Sequence, residues 1–361
     1  MSATFGERLR VTVFGQSHSE AMGAVVDGLP AGLRIDTEHL RAFLARRAPG
    51  QGPLTTARRE PDAPEIVAGL ADGVTCGAPL CILIRNTDAR SRDYETLRRV
   101  VRPSHADYPA YVRFGGHNDI RGGGQFSGRL TAPLCAAGAV ALQCLAARGV
   151  GVYAHIASIA GIKDAAVDPV SPDLPALAAL AAKPLPVLDA RAGEAMAQAV
   201  RDAAADGDSV GGVVECVVTG LPAGVGEPLY DSVESRLAAL LFAVPAVKGV
   251  EFGAGFAAAA LRGSENNDSY TASGGEVRTL SNHSGGICGG LTTGMPVVFR
   301  AAFKPTPSIA RPQRTVALPG PEETTLTVGG RHDPCVVPRA VPVVEAAAAL
   351  TMYDLLLCAA L

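Results

Sequence analysis

Two nine-residue segments of this chain nearly repeat each other. "VVDGLPAGL" at 25–33 returns as "VVTGLPAGV" at 217–225, with seven of the nine positions identical. In each copy a strand-like run leads into a Pro/Gly turn and then into a helical pattern. A repeat of this kind predicts two related halves that share one core, with chance similarity as the alternative.

Strand-like and helix-like patterns interleave along the rest of the chain. "LRVTVFG" at 9–15 alternates apolar and polar side chains, as a half-buried strand does. Helical spacing begins at Thr37, which we predict to be the N-cap of its helix. Apolar residues from Leu134 to Leu145 recur at helical spacing until Gly149 and predict a second, buried helix.

We predict that the whole chain, 1–361, is one domain. Its possible related halves are 1–150 and 208–361, and an Ala-rich helical insert at 165–207 separates them. The insert is punctuated by proline and carries no cluster of reactive side chains, so we assign it a scaffold role.

The composition excludes several classes of protein. With 48% hydrophobic and 19% charged residues, 361 residues can bury a large core. The net charge of −3 gives no global positive field, so we expect neither nucleic acid nor a membrane as partner. Eight cysteines without a C-x-x-C pair suit reduced thiols, and the chain begins without a signal-like segment, so we predict a cytoplasmic protein.

Two glycine-rich segments predict places where a ligand approaches the backbone. "RGGGQFSG" at 121–128 holds three consecutive glycines, and "SGGICGG" at 284–290 is followed by "KPTPS" at 304–308. Backbone amides in such turns, with Lys304, Thr306 and Ser308, can hold a phosphate or the edge of a flat heteroaromatic ring. The dinucleotide-binding and P-loop fingerprints are both missing from the sequence.

Most histidines lie in polar, glycine-rich segments, where binding and catalytic groups concentrate. Each alone is more often structural, but together they predict a shared site with proton-exchanging imidazoles. Arginines flank the same segments and predict a polyanionic ligand, because the guanidinium fork pairs with phosphate and carboxylate. The histidines are His18, His105, His117, His283 and His332, and the arginines are Arg102, Arg121, Arg129 and Arg331.

Six segments in order resemble the signature segments of the chorismate synthase family. They are "FGQSHSEAMGAVVDGLPAG", "RPSHADY", "RGGGQFSGRLTA", "VKGVEFGAGF", "SGGICGGLTTGMPVVFRAAFKPTPSI" and "GRHDPCVVPRAVPVVEA". The resemblance spans residues 5 to about 357. It implies an α+β fold, a β-α-β sandwich of two antiparallel sheets enclosed by helices, with which the internal pseudo-repeat is compatible. It also implies a homotetramer.

The activity that the resemblance implies is that of a carbon–oxygen lyase acting on phosphates. The family converts 5-enolpyruvylshikimate 3-phosphate to chorismate by a 1,4-anti elimination of phosphate, the last common step of aromatic amino-acid biosynthesis in the shikimate pathway. The reaction requires reduced FMN, so the resemblance implies a flavoprotein. The chain shows no obvious flavin-reductase segment, and we therefore expect an external reductase or reductant.

The resemblance also implies residue roles. His18 would donate a proton to the departing phosphate, and His105 would lie against the flavin pyrimidine and stabilise the reduced, anionic flavin. Asp333 would help flavin N5 accept the hydrogen lost from substrate carbon 6, and Ser17 and Ser127 would hydrogen-bond in the same pocket. The implied flavin contacts are Gln125, Phe126, Ser127, Pro245, Ala246, Gly289, Lys304, Pro305, Thr306, Pro307, Ser308 and Arg331, and the implied substrate contacts are Arg47, Arg129 and Arg339. No metal is implied.

Several positions depart from the family pattern. Gln125 and Phe126 stand where arginine and serine are common, so a charge and a hydroxyl beside the flavin are replaced by an amide and a ring. Pro245 stands where asparagine is common, and Gln16 and Ser19 replace a glutamate and a glycine beside His18. Pro53 replaces an arginine near the substrate or NADP(H) region, which argues against a pyridine-nucleotide site.

Two alternative functions stay open at this point. One is a metal-dependent hydrolase, although no H-x-x-x-H or similar local pair anchors a metal. The other is a flavin-binding protein without turnover, which the changes at Gln125 and Phe126 keep open. The candidate metal ligands are His18, His105, Asp107, His332 and Asp333.

Overall fold

The computed structural model describes residues 3–50, 54–56, 60–87, 96–329 and 332–359. The α-helices are α1 (Thr37–Arg47), α2 (Asp107–Phe114), α3 (Thr131–Ala146), α4 (Leu174–Ala179), α5 (Ala190–Ala205), α6 (Val233–Ala243), α7 (Gly263–Asn266) and α8 (Val337–Ala359). The strands are β1 (Thr4–Phe5), β2 (Arg10–Gly15), β3 (Ala21–Asp27), β4 (Pro64–Ala68), β5 (Leu70–Ala71), β6 (Val74–Thr75), β7 (Leu80–Arg85), β8 (Gly151–Ile159), β9 (Ile162–Lys163), β10 (Gly212–Thr219), β11 (Val247–Phe252), β12 (Tyr270–Ser273), β13 (Glu276–Thr279), β14 (Ile287–Cys288), β15 (Leu291–Thr292), β16 (Val297–Phe303), β17 (Gln313–Ala317) and β18 (Glu322–Leu326).

Two five-stranded antiparallel sheets dominate the architecture. The first has the strand order β1-β2-β3-β7-β4, and the second has the order β11-β16-β10-β8-β9. Helix α3 packs against β3 and β7 of the first sheet, helix α8 packs against β8 and β10 of the second, and α3 packs against α8. The fold is therefore α+β, and its core lies where these two helices meet the sheets.

Both copies of the nine-residue repeat leave the central strand of a five-stranded sheet. The first begins in the last three residues of β3, which lies between β2 and β7, and the second begins in the last three residues of β10, which lies between β16 and β8. Gly28 and Gly220 hold the same place in the two copies, with φ of +91° and +81°. A Cβ on either would meet a backbone oxygen, at 1.8 Å and 2.2 Å respectively, so both copies need glycine for the same steric reason.

The N-cap of helix α1 lies one residue before the predicted one. The N-cap is Asp36, whose carboxylate accepts hydrogen bonds from the backbone N–H groups of Glu38 and His39, at 2.9 Å and 3.0 Å. Thr37 is the first helical residue, so its prediction as N-cap was wrong by one position. An ionised carboxylate accepts the first N–H groups better than a hydroxyl does, which favours the aspartate.

Helices α3 and α8 are core helices. The segments Gly128–Ala146 and Val337–Ala359 are long and apolar enough to cross a bilayer by length and composition. However, 78% and 89% of their most apolar windows are buried inside the protein. Their hydrophobicity is thus used in packing against each other and the sheets.

Gly138 allows α3 to approach α8 closely, and its replacement by alanine is expected to destabilise the protein. A Cβ there would lie 2.3 Å from the Cβ of Ala346 and 2.6 Å from its Cα, so the helix backbone must move. We expect the free energy of unfolding to fall by about 1–3 kcal/mol, as for an overpacked core. Urea denaturation measures it, with Gly263→Ala in α7 as control because nothing lies within 4 Å of the added methyl. Equal stability of the two variants would contradict this packing.

Four charged side chains alternate in sign across the second sheet. His155, Glu215, Arg300 and Glu251 are direct cross-strand neighbours on β8, β10, β16 and β11. His155 Nε2 lies 3.1 Å from Glu215 Oε1, and its Nδ1 lies 3.4 Å from Asp164 Oδ2. Burial disfavours the charged imidazole, but the two carboxylates outweigh burial and raise the pKa of His155 to about 9.

The raised pKa of His155 predicts a loss of stability in mild alkali. Because the folded-state pKa of about 9 exceeds the ordinary value of 6.5, the stabilisation is complete below pH 6.5 and disappears as the pH rises through 9. The difference corresponds to about 3 kcal/mol at most. Denaturation curves at pH 6 and pH 9.5 should show this loss in the wild type and a smaller loss in His155→Gln. The same pH dependence in both proteins would contradict the assignment.

Candidate functional site

A cavity of about 530 Å³ opens where the ends of several elements converge. Its walls come from the end of α1, the turn before α2, the glycine-rich segment before α3, the α6–β11 connection, the segment after β16 and the start of α8. The volume lies within the range of small-molecule sites. The fold therefore brings segments that are distant in the sequence to one pocket.

Most of the predicted site residues that the structure describes line this cavity. They are Arg47, His105, Gln125, Phe126, Ser127, Arg129, Pro245, Ala246, Lys304, Thr306, Pro307, Ser308, Asp333 and Arg339. Ser17, His18, Gly289 and Pro305 do not line it. Arg331 lies outside the described residues.

The glycine-rich segment is shaped by three consecutive residues with positive φ. Gly122, Gly123 and Gly124 have φ of +60°, +84° and +55°, a region that other residues rarely adopt. The Ser17 N–H donates a hydrogen bond to Gly124 O at 3.1 Å, which joins the β2–β3 loop to this segment. The triple glycine is thus required by backbone conformation as well as by close approach.

Side chains of the protein itself fill the space that these glycines leave. A Cβ on Gly122 would lie 2.4 Å from Cε1 and Nδ1 of His18 and from Oγ of Ser17. A Cβ on Gly123 would lie 3.2 Å from His105 Nε2. The segment therefore packs against both imidazoles. Gly122 lines the cavity, and His18 lies on its far side, just outside the cavity wall.

His105 belongs to a buried hydrogen-bonded group with Arg102 and Asp107. Its Nδ1 lies 2.6 Å from Asp107 Oδ1, and Arg102 donates to the same carboxylate from Nε at 2.7 Å and from Nη2 at 2.8 Å. Burial by itself would raise the pKa of Asp107, but the hydrogen bonds from Arg102 and His105 bring it well below its usual range. The carboxylate is therefore ionised throughout the neutral range.

Arg47 and Arg129 share one buried carboxylate, that of Asp62. Both guanidinium groups donate to Asp62, Arg47 through Nη1 to Oδ2 and Arg129 through Nη1 to Oδ1. All three side chains are nearly inaccessible to solvent. Burial opposes ionisation of Asp62, yet the two arginines lower its pKa. Arg129 Nη2 is buried without a hydrogen-bond partner, but it forms an ion pair with Glu60 Oε2 at 3.4 Å.

Arg339 holds Asp333 at the opening of α8. Its Nη1 donates to Asp333 Oδ2 at 2.5 Å, and its Nε donates to the backbone oxygen of Arg47 at 3.0 Å. The Thr56 N–H donates to Asp333 Oδ1 at 2.9 Å. The carboxylate of Asp333, predicted to be catalytic, is thus held by both Arg339 and Thr56. Arg339 and Arg47, two of the predicted substrate arginines, are joined at the end of α1.

The segment after β16 is joined to the His105 turn. Lys304 donates from Nζ to Ser104 O at 2.5 Å, and Arg102 donates from Nη1 to Ser308 Oγ at 3.3 Å. Burial, followed by the charge of Lys248, lowers the pKa of Lys304. Thr306 Oγ1 is buried and has no hydrogen-bond partner. Two side chains of the cavity wall, Arg129 and Thr306, therefore carry unsatisfied polar atoms.

A second, apolar cavity of about 1110 Å³ adjoins the first. The two share wall residues that include Gln125, Phe126 and Pro245, three of the positions that depart from the family pattern. Phe126 contacts Phe114 of α2 in a tilted arrangement with ring centroids 6.4 Å apart. The ring that replaces a serine here therefore packs between a polar and an apolar compartment.

The sequence did not reveal several residues that build the site. Asp62 follows no motif, and its role depends on a contact with Arg47 and Arg129 that only the tertiary fold creates. The sequence shows Arg102 close to His105, but the pairing of Arg102 with Asp107 appears only in the structure. Of the other predicted histidines, His332 lines the cavity, and burial lowers its pKa. His117 and His283 do not line it.

The hydrolase hypothesis finds no support in this geometry. Within the described ranges, no group of three His, Cys, Asp or Glu side chains is placed to hold a metal ion. Asp107 is occupied by Arg102 and His105, and Asp333 is occupied by Arg339. The two candidate carboxylates therefore serve as acceptors for arginines.

Fold and cavity together define an α+β protein with a cation-rich small-molecule site. Residues 9–357 match the family model described as "Chorismate synthase". A curated chorismate synthase of Methanocella arvoryzae is 48% identical over 97% of this chain and 93% of its own length, and one of Aeropyrum pernix is 49% identical over 98% and 92%. A solved structure titled "Crystal Structure of Chorismate Synthase" is 27% identical with a TM-score of 0.77, over 98% of this chain and 92% of that one.

The chain belongs to the chorismate synthase family. The family resemblance seen in the sequence is thereby confirmed. It is a family of lyases of aromatic amino-acid biosynthesis, which act on a small-molecule substrate.

Proposed function

We propose that this protein is a chorismate synthase that converts 5-enolpyruvylshikimate 3-phosphate to chorismate with reduced FMN as cofactor. The observation that carries the proposal is the set of charged side chains that line the 530 Å³ cavity. Among the described wall residues there are five cationic side chains and one carboxylate, Asp333, and the carboxylates of Asp62 and Asp107 pair with three of the cations from outside the wall. The cations are Arg47, Arg102, Arg129, Lys304 and Arg339.

The residues present fit a flavin phosphate and an anionic substrate. Thr306 Oγ1 and Arg129 Nη2 are buried and make no hydrogen bond, although Arg129 Nη2 forms an ion pair with Glu60 at 3.4 Å; the two residues lie on different elements of the wall. A bound anion or ring would supply the missing hydrogen-bond acceptors. We assign Gln125, Phe126, Pro245, Ala246 and the 304–308 segment to the flavin, and Arg47, Arg129 and Arg339 to the substrate. Gly289 and Arg331 remain predictions, because the first does not line the cavity and the second lies outside the described residues.

When bound, reduced FMN supplies the electron density that loosens the carbon–oxygen bond to phosphate. The chain's own residues bind, orient and move protons. The arginines neutralise the departing phosphate, because a guanidinium fork pairs with it in two hydrogen bonds. His18, behind Gly122, holds a proton for that group, with Ser17 Oγ 3.3 Å from its Nδ1. His105 and Asp333 are held rigidly by their partners, as general acid–base chemistry requires.

We also infer finer features of fold and assembly. The contacts of α3 and α8 support a β-α-β sandwich, and the matched positions of Gly28 and Gly220 support an internal pseudo-repeat. Family membership supports a homotetramer in the cytoplasm that receives its reduced flavin from an external reductant. Gel filtration with light scattering tests the assembly, since a tetramer of 36.9 kDa chains should have four times that mass.

Anaerobic turnover tests the proposed activity. The protein is incubated with photoreduced FMN and 5-enolpyruvylshikimate 3-phosphate, and chorismate and phosphate are measured separately. We expect equimolar amounts of both, and no chorismate with oxidised FMN. FMN binding without product would instead identify a flavin-binding protein without turnover. Phosphate release without chorismate, dependent on added metal, would favour the hydrolase.

A further inference from the structure

We propose that Asp107 is the positioning residue of His105. Its carboxylate, which Arg102 holds in place, accepts a hydrogen bond from Nδ1–H, so that Nε2 is the nitrogen left to act in the cavity. The proposal rests on the proposed function for its catalytic meaning. Its structural part, that His105 Nδ1 carries a proton, depends only on the contacts among Arg102, His105 and Asp107.

Only one tautomer of His105 satisfies these contacts. Asp107 Oδ1 lies 2.6 Å from His105 Nδ1, and an ionised carboxylate can only accept. Nδ1 therefore carries a proton, in the neutral ring and in the imidazolium alike, and the Nε2–H tautomer is the form that is excluded. Arg102 Nη2 also lies 3.1 Å from Nδ1, but a guanidinium only donates, so its hydrogen bond goes to Asp107 Oδ1 at 2.8 Å.

Arg102 prevents the carboxylate from turning away. Its backbone N–H and its Nε both donate to Asp107 Oδ2, at 3.0 Å and 2.7 Å, while Nη2 donates to Oδ1. Arg102 and Asp107 are both about 95% buried, so solvent competes little for these bonds. The orientation of His105 is thus set by a group whose own orientation is fixed by three donors.

The carboxylate is not used to cap a helix. Asp107 is the first residue of α2, where an acidic side chain commonly accepts from the first N–H groups. Here the N-cap is Ala106, and no side chain caps that end. The acceptor capacity of Asp107 goes to Arg102 and His105, which points to a role in orienting the imidazole.

The opposite edge of the imidazole faces the backbone of Gly123. Nε2 faces Gly123, where a Cβ would lie 3.2 Å away, and none of the described residues hydrogen-bonds to it. The nitrogen that a buried partner does not occupy is the one that can exchange a proton. Asp107 and Gly123 together therefore determine which nitrogen of His105 is available.

Imidazole nitrogen NMR on the ligand-free protein tests the assignment directly. The wild type is labelled with ¹⁵N-histidine, and the His105 signals are identified by their loss in His105→Gln. We expect the Nδ1–H form in the wild type. In Asp107→Asn the Arg102 guanidinium, which only donates, should pair with the single amide oxygen. The amide NH₂ then points at Nδ1 as a donor, so Nδ1 must accept and the proton should move to Nε2. Asp107→Glu keeps a carboxylate and should keep Nδ1–H.

Kinetics separate a positioning role from a merely structural one. We expect Asp107→Asn to lower kcat by about 10- to 100-fold with little change in the substrate KM, and Asp107→Glu to recover part of kcat. Asp268→Asn is the matched control, because Asp268 is another largely buried carboxylate beside a histidine, His283, away from the cavity wall. Its kcat should stay near the wild-type value.

An Nε2–H form in the wild type would overturn the proposal. So would an unchanged tautomer in Asp107→Asn, or equal losses of kcat in Asp107→Asn and Asp268→Asn. If the wild type made no chorismate, the proposed function would fail while the tautomer measurement still decided the role of Asp107. If Asp107→Asn did not fold, the wild-type and Asp107→Glu spectra would decide it.

Discussion

Replacing Gly122 with alanine should lower kcat by about 100-fold or more. The new Cβ would lie 2.4 Å from His18 and from Ser17 Oγ, so the imidazole or the glycine-rich segment must move. A displacement of about 1 Å at a reacting group can cost 100-fold in rate. Anaerobic steady-state kinetics with reduced FMN measures the loss.

Gly274→Ala is the control for Gly122→Ala. Gly274 has φ of +62°, close to the +60° of Gly122, but nothing lies within 4 Å of its added methyl. Both variants therefore place alanine at nearly the same positive φ, and only Gly122→Ala brings the new methyl against His18. A normal kcat in Gly122→Ala would show that the close packing of His18 against this segment is not needed for turnover.

Replacing Asp62 with asparagine should reduce the free energy of unfolding by about 3–5 kcal/mol. The change leaves Arg47 and Arg129 buried without their shared counter-charge, and uncompensated buried charge is costly. Asparagine tolerates the φ of +47° at this position, so the substitution tests charge rather than backbone conformation. Asp27→Asn, at an exposed pair with Arg10, should cost less than about 1 kcal/mol.

The pH dependence of stability gives an independent check on Asp62. The pKa of its carboxyl is lowered below the ordinary value of 3.8. Its stabilisation is therefore present above pH 3.8 and is lost as the pH falls through the folded-state pKa. Denaturation curves between pH 7 and pH 3 should show a steeper loss in the wild type than in Asp62→Asn. Parallel curves would contradict the proposed charge cluster.

The sequence predicted the parts of the site that depend on local chemistry. The triple glycine was predicted as a place where a ligand approaches the backbone; in the structure it has positive φ at three positions, and Ser17, His18 and His105 lie against it. His105 and Lys304 were also found, since both lie in polar segments with turn residues. These segments do converge on one cavity.

The parts that the sequence could not reveal depend on long-range contacts. Asp62 pairs with Arg129, 67 residues away, and Asp354 of α8 accepts backbone hydrogen bonds from Arg8 and Leu9, about 345 residues away. No local pattern marks a carboxylate that will be buried against a distant donor. The N-cap of α1 was misplaced because Asp36 and Thr37 are both good capping residues.

The most direct test of the central claim is a crystal structure of this protein with FMN and 5-enolpyruvylshikimate 3-phosphate bound. We predict that both occupy the 530 Å³ cavity, with the flavin between the 122–127 and 304–308 segments and the substrate anions within hydrogen-bond distance of Arg129. Ligands bound elsewhere, or a cavity closed by Phe126 while FMN binds outside it, would contradict the account.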